Sequence, residues 1–291
     1  MLVSSWKAFV AARGQFFRLE ELLVNMPDDR ERMELPAPTG RITVENMTAM
    51  PPGAQIPVLQ NINFEVDPGT MVAIIGPSAA GKSSLARVML GIWPAAAGKV
   101  RLDSADVYQW DRELLGPHIG YLPQDVELFD GTIAQNIARF GDIDAEKIVA
   151  AAELAGVHDM ILRLPEGYDT EIGVSGGVLS GGQRQRIGLA RAVYGDPKLV
   201  ILDEPNSNLD DAGEASLRTA VLALKERGVT VIIVSHRPSI LSAVDKILVL
   251  QAGKMVTFED AKDLMDKANK MQQQGSPAVV PTQTVGMKPV G

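Results

Sequence analysis

Short apolar runs alternate with stretches of helical spacing over most of the chain. The apolar runs that predict β-strands are Ile42–Glu45, Asn61–Val66, Met71–Ile75, Leu199–Leu202, Val229–Val234 and Ile247–Leu250. The stretches with helical spacing are Lys82–Leu90, Gly182–Val193 and Ala212–Lys225. Met71–Ile75 is apolar at every position, which is typical of a strand that is covered on both faces of a parallel sheet. This alternation predicts an α/β fold whose sheet carries helices on its faces.

The strand pattern fades in one internal region. Between residues 125 and 178, apolar residues recur with helical spacing in Ala145–Ala155 and His158–Leu164, and β-like runs are missing from the sequence there. We therefore predict that a mainly helical subdomain, at about residues 125–190, is inserted into the α/β fold.

The two ends of the chain differ from its middle. In residues 1–34, large apolar side chains recur near one side of a 3.6-residue helix, which predicts a helical extension. Leu35–Gly40 contains two prolines and a glycine and is predicted to be a linker, so that the main domain covers residues 41–270. Residues 275–291 have no periodicity and many Pro, Gly and Thr residues, which predicts a disordered tail.

Composition narrows the class of protein. Of the 291 residues 46% are hydrophobic and 22% are charged, values that are typical of a folded protein. The net charge of -8 argues against a nucleic-acid-binding protein, which usually carries a basic surface. The chain has 0 Cys, so disulfides, thiolate metal sites and cysteine nucleophiles are excluded. No apolar run is long enough to cross a bilayer and the start does not resemble a signal peptide, which predicts a soluble chain.

A glycine-rich segment lies between the predicted buried strand and a predicted helix. It matches the G-x-x-x-x-G-K-[ST] phosphate-loop pattern with Gly76, Pro77, Ser78, Ala79, Ala80, Gly81, Lys82 and Ser83. Glycines let main-chain N–H groups converge on an anion, and the start of the following helix adds a partial positive charge. Lys82 is predicted to reach the β- and γ-phosphates, Ser83 to bind Mg²⁺ and Ser84 to contact phosphate. The alternative is an ordinary strand–turn–helix.

A second apolar strand ends in two carboxylates, Asp203 and Glu204. Side chains alternate along a strand, so the two carboxylates leave its end in different directions. Asp203 can hold Mg²⁺, directly or through water, while Glu204 can orient and deprotonate an attacking water. A strand that merely ends in acidic residues is the alternative, and the phosphate loop upstream argues against it.

A third segment places small residues and a serine at a predicted helix start. Its residues are Leu179, Ser180, Gly181, Gly182 and Gln183, and a helix start of this kind binds anions. Leu-Ser-Gly-Gly-Gln resembles the signature of ABC-type ATPases. The resemblance implies a P-loop NTPase (RecA-like) core sheet with an N-terminal antiparallel β-subdomain and the inserted helical subdomain. It also implies a head-to-tail homodimer, in which the signature of one subunit closes on the ATP that the phosphate loop of the other subunit holds.

The resemblance implies roles for further residues and for two cofactors, ATP and Mg²⁺. Gln124 matches the glutamine that contacts Mg²⁺ and the attacking water and links to the membrane partner. His236 matches the histidine that hydrogen-bonds the γ-phosphate, and Asp210 matches the residue that couples the two sites of the dimer. The implied catalytic residues are Glu204, His236 and Gln124, and the implied metal ligands are Ser83, Gln124 and Asp203.

Three segments indicate a branch of the family. Leu128–Ile137 resembles the exporter version of the region in which the helical subdomain meets the membrane partner. Glu204–Asp210 and Trp6–Leu19 are similar to type I secretion ATPases of the protease/lipase exporter group. The resemblance implies that ATP hydrolysis powers polypeptide export, behind a fused transmembrane domain at the cytoplasmic face of the bacterial inner membrane. It also implies a membrane-fusion adaptor and an outer-membrane channel as partners.

Two other functions stay open at this point. A soluble ABC ATPase that acts on ribosomes or DNA usually carries two ATPase units or long coiled-coil inserts, whereas this chain has one phosphate loop and an acidic balance. A nucleotide-binding regulatory module without turnover does not need catalytic groups, and the presence of Lys82, Glu204 and His236 argues against it.

Overall fold

The computed structural model describes residues 2–25, 35–173 and 179–273. The helices are α1 (Leu2–Asn25), α2 (Lys82–Met89), α3 (Arg112–Leu115), α4 (Ile133–Ile137), α5 (Ala145–Leu154), α6 (His158–Leu162), α7 (Gly181–Val193), α8 (Asp211–Glu226), α9 (Pro238–Leu241) and α10 (Ala261–Gln273). The strands are β1 (Ile42–Ala49), β2 (Leu59–Val66), β3 (Met71–Ile75), β4 (Ala97–Leu102), β5 (Ala105–Asp106), β6 (Ile119–Leu122), β7 (Gly131–Thr132), β8 (Glu171–Ile172), β9 (Leu199–Asp203), β10 (Thr230–Val234), β11 (Lys246–Gln251) and β12 (Lys254–Asp260). The tail predicted at 275–291 lies outside the described residues.

The chain divides into two compact units between Pro36 and Ala37. The first unit contains α1, where the sequence predicts a helix. Its aromatic side chains are exposed, and the rings of Trp6 and Phe9 stack at 5.9 Å between centroids. Within the ranges given above, no helix is both long and apolar enough to cross a membrane.

A six-stranded sheet forms the centre of the second unit. Its strand order is β12-β11-β3-β10-β9-β6. The neighbours from β11 to β6 pair in parallel, and only the pairing of β11 with β12 is antiparallel in this sheet. The chain therefore has the α/β fold that the alternation of strands and helices predicts.

Both faces of this sheet are buried, because alternate residues of each strand enter different cores. In β9, Val200 and Leu202 pack with the helices that follow residue 132, while Leu199 and Ile201 pack with α2 and the first strands. Full burial of such a side chain stabilises a fold by about 1.5–3 kcal/mol. This packing explains why the strands are apolar at consecutive positions instead of alternating with polar residues.

Two further groups of elements flank the central sheet. An antiparallel sheet with the order β2-β1-β4-β5 corresponds to the β-subdomain that the family resemblance implies. The helices α4, α5 and α6 and the pair β7–β8 lie between β6 and α7, where the sequence predicts mainly helices. The apolar pattern did not predict β4, β6, β12 or α10.

Candidate functional site

The carboxyl ends of four neighbouring parallel strands, β3, β10, β9 and β6, meet at one edge of the central sheet. The phosphate loop follows β3, and His236 follows β10 after one intervening residue. Asp203 ends β9 and Glu204 follows it, while Gln124 comes shortly after β6. Ligands of open α/β sheets bind at this kind of edge. The fold therefore brings these predicted residues to one place.

The phosphate loop is a tight turn between β3 and α2. It consists of Gly76, Pro77, Ser78, Ala79, Ala80 and Gly81. A Cβ atom at Gly76 would overlap the carbonyl oxygen of Leu250, and one at Gly81 would lie 2.8 Å from a methyl carbon of Leu59. Gly81 and Ala79 have φ angles of 98° and 62°, in the left-handed region. Only small residues fit this path, which explains why the loop is rich in glycine and alanine.

The start of α2 is free to bind an anion. Lys82, Ser83 and Ser84 form its first turn. Gly81, at the N-cap, offers no side-chain hydrogen bond to the helix, and the first turn contains no acidic residue. The first N–H groups of a helix have no partner within the helix and carry its positive dipole end. An anionic ligand can satisfy them here.

Lys82 lies across the phosphate loop. It is only 7% exposed, and its Nζ donates hydrogen bonds to the carbonyl oxygens of Gly76 and Pro77, both at 3.0 Å. Burial lowers the pKa of Lys82, while the charges of Glu204 and Asp203 oppose that shift. The ammonium group is thus held where it can exchange carbonyl oxygens for phosphate oxygens.

Asp203 is a buried carboxylate with an unsatisfied oxygen. It is 1% exposed, and its Oδ1 has no hydrogen-bond partner among the described residues. The side chain of Ser83 hydrogen-bonds the carboxylate. Burial raises the pKa of Asp203, and the neighbouring Glu204 raises it further, whereas Ser83, Arg87 and Lys82 act in the opposite direction. A buried oxygen without a partner is costly, and a cation can satisfy it.

Glu204 has an unusual backbone conformation. Its φ angle is 48°, in the left-handed region, and its N–H donates to the carbonyl oxygen of Val234 at 2.9 Å. The Nε2 atom of Gln124 donates to Oε2 of Glu204 at 3.2 Å. A left-handed conformation costs a residue with a Cβ atom about 1–3 kcal/mol, and such strain persists where surrounding contacts hold it. These contacts direct the Glu204 carboxylate toward Gln124.

His236 is exposed beside the phosphate loop. Burial of part of the ring lowers the pKa of His236, the charge of Lys82 lowers it further and Glu204 opposes the shift. The imidazole is therefore mainly neutral at pH 7, since its pKa falls below the ordinary 6.5. A neutral ring can donate one hydrogen bond and accept another.

The signature segment forms the capped start of α7. Ser180 and Gln183 form a capping box, in which the Gln183 N–H donates to Ser180 Oγ at 3.3 Å and the Ser180 N–H donates to Gln183 Oε1 at 2.7 Å. Leu179 is buried, and a Cβ atom at Gly182 would lie 2.8 Å from the carbonyl oxygen of Asn208. Gly181 also approaches Asn208. Between described atoms, no hydrogen bond joins residues 179–183 to residues 76–84.

Asp210 caps α8. Its Oδ1 accepts the N–H of Gly213 at 2.9 Å, and its backbone is extended, as is usual for an N-cap residue. This contact gives Asp210 a structural role that the sequence analysis did not assign.

Three buried polar residues near the site were missed by the sequence analysis. The Ser235 hydroxyl donates to Oδ1 of Asn206 at 3.4 Å, and Gln185 Nε2 donates to the Pro205 carbonyl oxygen at 3.1 Å. Ser235 Oγ also accepts the N–H of Arg237 at 3.2 Å. These bonds join α7 and the loops after β9 and β10. Their acceptors are distant in sequence, so no local pattern marks these residues.

Comparison with known proteins gives one family match and several relatives. Residues 59–207 match the family model described as ABC transporter. The chain is 54% identical over 274 residues to "Type I secretion system ATP-binding protein PrsD" of Rhizobium meliloti (strain 1021), a match that covers 94% of the chain and 47% of that protein. It is 38% identical to "ATP-dependent lipid A-core flippase" of Shewanella frigidimarina (strain NCIMB 400), with 85% of the chain and 42% of that protein covered.

A solved structure has a similar fold. A bacterial Atm1-family ABC exporter with ATP bound superposes with a TM-score of 0.80 and 31% identity, covering 94% of the chain and 48% of that protein's chain. The chain thus spans less than half the length of these relatives.

Proposed function

Because the chain belongs to the ABC transporter family and is an ABC-type ATPase domain, we propose that it hydrolyses ATP as one subunit of a head-to-tail homodimer and powers polypeptide export by a type I secretion transporter. One observation carries the proposal: the phosphate loop, Asp203, Glu204, Gln124 and His236 converge at one edge of the sheet. The similarity to a type I secretion protein supports the choice of branch.

The phosphate loop and the start of α2 bind the nucleotide. The N–H groups of this helix start and the Lys82 ammonium group surround the β- and γ-phosphates, with Ser83 and Ser84 in the same turn. The tight path at Gly76 and Gly81 brings the main chain close enough for these contacts.

The residues beside the loop fit a Mg²⁺ ion. Asp203 Oδ1 lacks a hydrogen-bond partner among the described residues, Ser83 lies against the same carboxylate, and Gln124, just after β6, offers an amide oxygen. Mg²⁺ prefers oxygen ligands and uses one or two carboxylates with water and phosphate. Asp203, Ser83 and Gln124 would hold the ion, which would neutralise charge on the phosphate oxygens.

Glu204 acts as the general base for the attacking water. Its strained backbone and its hydrogen bond from Gln124 orient the carboxylate, which accepts the proton of the water as the water attacks the γ-phosphorus. The bond from that phosphorus to the bridging oxygen breaks at the same time, and ADP leaves with the bond's electron pair. Neutral His236 donates a hydrogen bond to a γ-phosphate oxygen, and Lys82 offsets the negative charge that develops there.

The signature explains why the active form is a dimer. One chain has two anion-binding helix starts, at α2 and α7, and the Ser180 segment makes its contacts with Gln183 and Asn208. A head-to-tail pair of subunits uses both helix starts, because each ATP then lies between the phosphate loop of one subunit and the signature of its partner. Asp210, in the loop between Glu204 and α8, couples the two ATP sites.

The transporter context follows from the same branch. The relatives are more than twice as long as the part that this chain matches, which supports a transmembrane domain in the whole protein. We place the ATPase at the cytoplasmic face of the bacterial inner membrane, with a membrane-fusion adaptor and an outer-membrane channel as further partners.

The central test is the Glu204→Gln variant. We expect ATP turnover to fall at least about 100-fold, because the general base is lost, while ATP affinity changes less than about threefold. With ATP and Mg²⁺ the variant should elute as a dimer in size-exclusion chromatography. Glu226→Gln, the same change on an exposed part of α8, is the matched control and should turn over normally. Near-normal turnover in Glu204→Gln would refute the assignment.

Export is tested in the longer protein that contains this chain. We expect Glu204→Gln there to remove a secreted polypeptide from the culture medium and to leave its amount inside the cell unchanged or higher. An unchanged set of secreted proteins would contradict polypeptide export while leaving the ATPase assignment intact.

A further inference from the structure

The guanidinium group of Arg139, just after α4, is surrounded by main-chain carbonyl groups. The five acceptors are Arg191 (3.0 Å from Nε), Gly116 and Ile119 (2.8 and 2.9 Å from Nη1), and Ala192 and Tyr194 (3.1 and 3.4 Å from Nη2). No ion pair joins Arg139 to a carboxylate within the described ranges. A shielded arginine whose acceptors are all backbone oxygens therefore needs another source of negative charge.

The end of α7 supplies that charge. The last carbonyl groups of a helix lack intrahelical partners and carry the negative end of its dipole. Arg191 and Ala192 lie in the last turn of α7, and Tyr194, with an extended backbone, ends the helix. Arg139 thus caps α7 from a different segment of the chain. Of its remaining acceptors, Ile119 begins β6 and Gly116 lies in the turn just before it, so one side chain joins this helix end to this strand.

The backbone turns sharply at Arg139, after the end of α4. Arg139 and Phe140 have φ angles of 57° and 59°, two consecutive left-handed residues that each carry a Cβ atom. Such conformations are disfavoured and persist where surrounding contacts hold them in place. The hydrogen bonds of the guanidinium group are contacts of that kind. Main-chain bonds close the same helix end, because the Phe140 N–H donates to the carbonyl oxygen of Gln135 at 2.9 Å, so the guanidinium group adds to a turn that the backbone also holds.

The second half of α7 packs closely against β6 and the segment that follows it, with glycines at the contact points. A Cβ atom at Gly120 would overlap the carbonyl oxygen of Ala192. A Cβ atom at Gly188 would lie 2.7 Å from Val126 and 2.9 Å from Leu122. The main chains of helix and strand therefore meet at Ala192 and Gly120, beside Arg139, and β6 leads directly to the segment that contains Gln124.

We propose that Arg139 is a positioning residue: it clamps the carboxyl end of α7 to β6, so that the helix presents Ser180 in one orientation to the nucleotide of a dimer partner. This inference rests on the proposed dimer for its functional consequence. A small tilt at the carboxyl end of α7 moves Ser180 at its other end by a larger distance, because a helix of 13 residues is about 20 Å long. A tilt of about 5° at the clamp would move the signature by roughly 2 Å, enough to break its contacts with a phosphate.

The first experiment measures ATP-driven dimerisation in the Glu204→Gln background. We expect Arg139→Ala to raise the chain concentration at half-dimerisation at least about tenfold, while ATP affinity of the monomer changes less than about twofold, because the phosphate loop is untouched. Arg112→Ala is the matched control. Arg112 also donates to main-chain carbonyls, those of Leu90 and Gly91, but these lie after α2, so its loss should leave dimerisation unchanged.

The second experiment is chemical rescue. Arg139 lines an open cavity of about 1040 Å³, so a small solute can reach the space that Arg139→Ala leaves. Methylguanidinium, at concentrations far below those that unfold the chain, should restore dimerisation of Arg139→Ala. Methylammonium should not, because it lacks the planar set of donors that several carbonyl groups require. For the same reason Arg139→Lys should recover only part of the loss.

The third experiment measures, in the monomer without nucleotide, the distance from β4 to α5, the helix that packs against α7. The chain has 0 Cys, so Lys99→Cys on β4 and Glu153→Cys on α5, both exposed positions, can carry unique spin labels. We expect a narrow distance distribution with Arg139 present and a broader or shifted one in Arg139→Ala. If Arg139→Ala does not fold, Arg139→Lys serves for the same measurement.

The outcomes separate this inference from the proposed function. Unchanged dimerisation and unchanged distances in the folded Arg139 variants would overturn the inference. If Glu204→Gln alone fails to dimerise with ATP but the distances broaden in Arg139→Ala, the dimer is wrong and the clamp between α7 and β6 stands.

Discussion

At the level of single residues, the proposed binding of Mg²⁺ by Asp203 conflicts with the stability of the folded chain. The Asp203 carboxylate lies at the end of a buried strand, where burial raises its pKa, and Oδ1 has no partner among the described residues. The folded chain consequently binds a proton at Asp203 more tightly than the unfolded chain does. Its carboxylate form therefore lowers the stability of the nucleotide-free protein at neutral pH, and this cost fades as the pH falls through the raised pKa of the folded chain toward the ordinary value of 3.8.

Asp203→Asn tests this conflict. Without Mg²⁺ and nucleotide we expect the variant to be more stable than the parent by about 1–2 kcal/mol, a rise of roughly 2–8 °C in Tm, because the buried charge is removed. The gain should be largest at pH 7–8 and shrink on acidification, while Mg²⁺-dependent turnover is lost. Calorimetry between pH 5 and 8 measures the stability difference between variant and parent, with the exposed Asp130→Asn as the control. A variant less stable than the parent at pH 8 would contradict this explanation.

At the residue level, contiguous motifs were predictable and distant contacts were not. Gly76 to Ser83 is recognisable because the turn requires small residues next to a lysine at fixed spacing. No contiguous sequence motif of this kind marks Arg139 or Asn206. Their partners lie 20 to 55 and 29 residues away, respectively, and the acceptors of Arg139 belong to the main chain, which every residue has.

For the strands, length and burial decided which of them the apolar pattern of the sequence predicted. The strand β3 is apolar throughout, and β9 and β10 are apolar except at Asp203 and Thr230, because both sheet faces are covered, so their pattern was sufficient. The strand β6 has only 4 residues and contains Gly120, a poor strand former. Pairing with β9 and the close approach of α7 make it a strand, and neither is local information.

The N-terminus of α8 allows a helix cap to be separated from a charge. Asp210→Ala removes the hydrogen bond to the Gly213 N–H and should cost about 0.5–2 kcal/mol of stability. Asn is an equally good N-cap, so Asp210→Asn should keep the stability within about 0.5 kcal/mol. If the charge couples the two ATP sites, Asp210→Asn alone should lower the Hill coefficient for ATP. Equal stability losses in both variants would contradict the capping role.

For the whole molecule, the central question is how one chain uses the two helix starts, at α2 and α7, for which we propose anion binding. The sequence raised this question through the Ser180 segment, and the described contacts of that segment are with its own helix and with Asn208. The position of the proposed second subunit was not predictable from periodicity or spacing, because a symmetric interface leaves no pattern within one chain.

We expect turnover per chain to depend on protein concentration. If each ATP lies between two subunits, the specific activity should rise with concentration and level off where sedimentation shows a dimer, and the dependence on ATP should be cooperative. Turnover per chain that is constant across a range in which sedimentation shows only monomers would contradict the shared site. The Lys82→Ala variant, which loses phosphate contacts, should show neither effect.

The position of β6 at the rim of the central sheet gives the Arg139 clamp a further consequence. A rim strand offers unpaired carbonyl and N–H groups to which another polypeptide can add, the usual start of aggregation. The His118 carbonyl accepts a bond from Lys198, next to β9, so the following carbonyl, at Ile119, faces outward, where the guanidinium group covers it. The same arginine thus discourages the stacking of one molecule onto the next at high protein concentration.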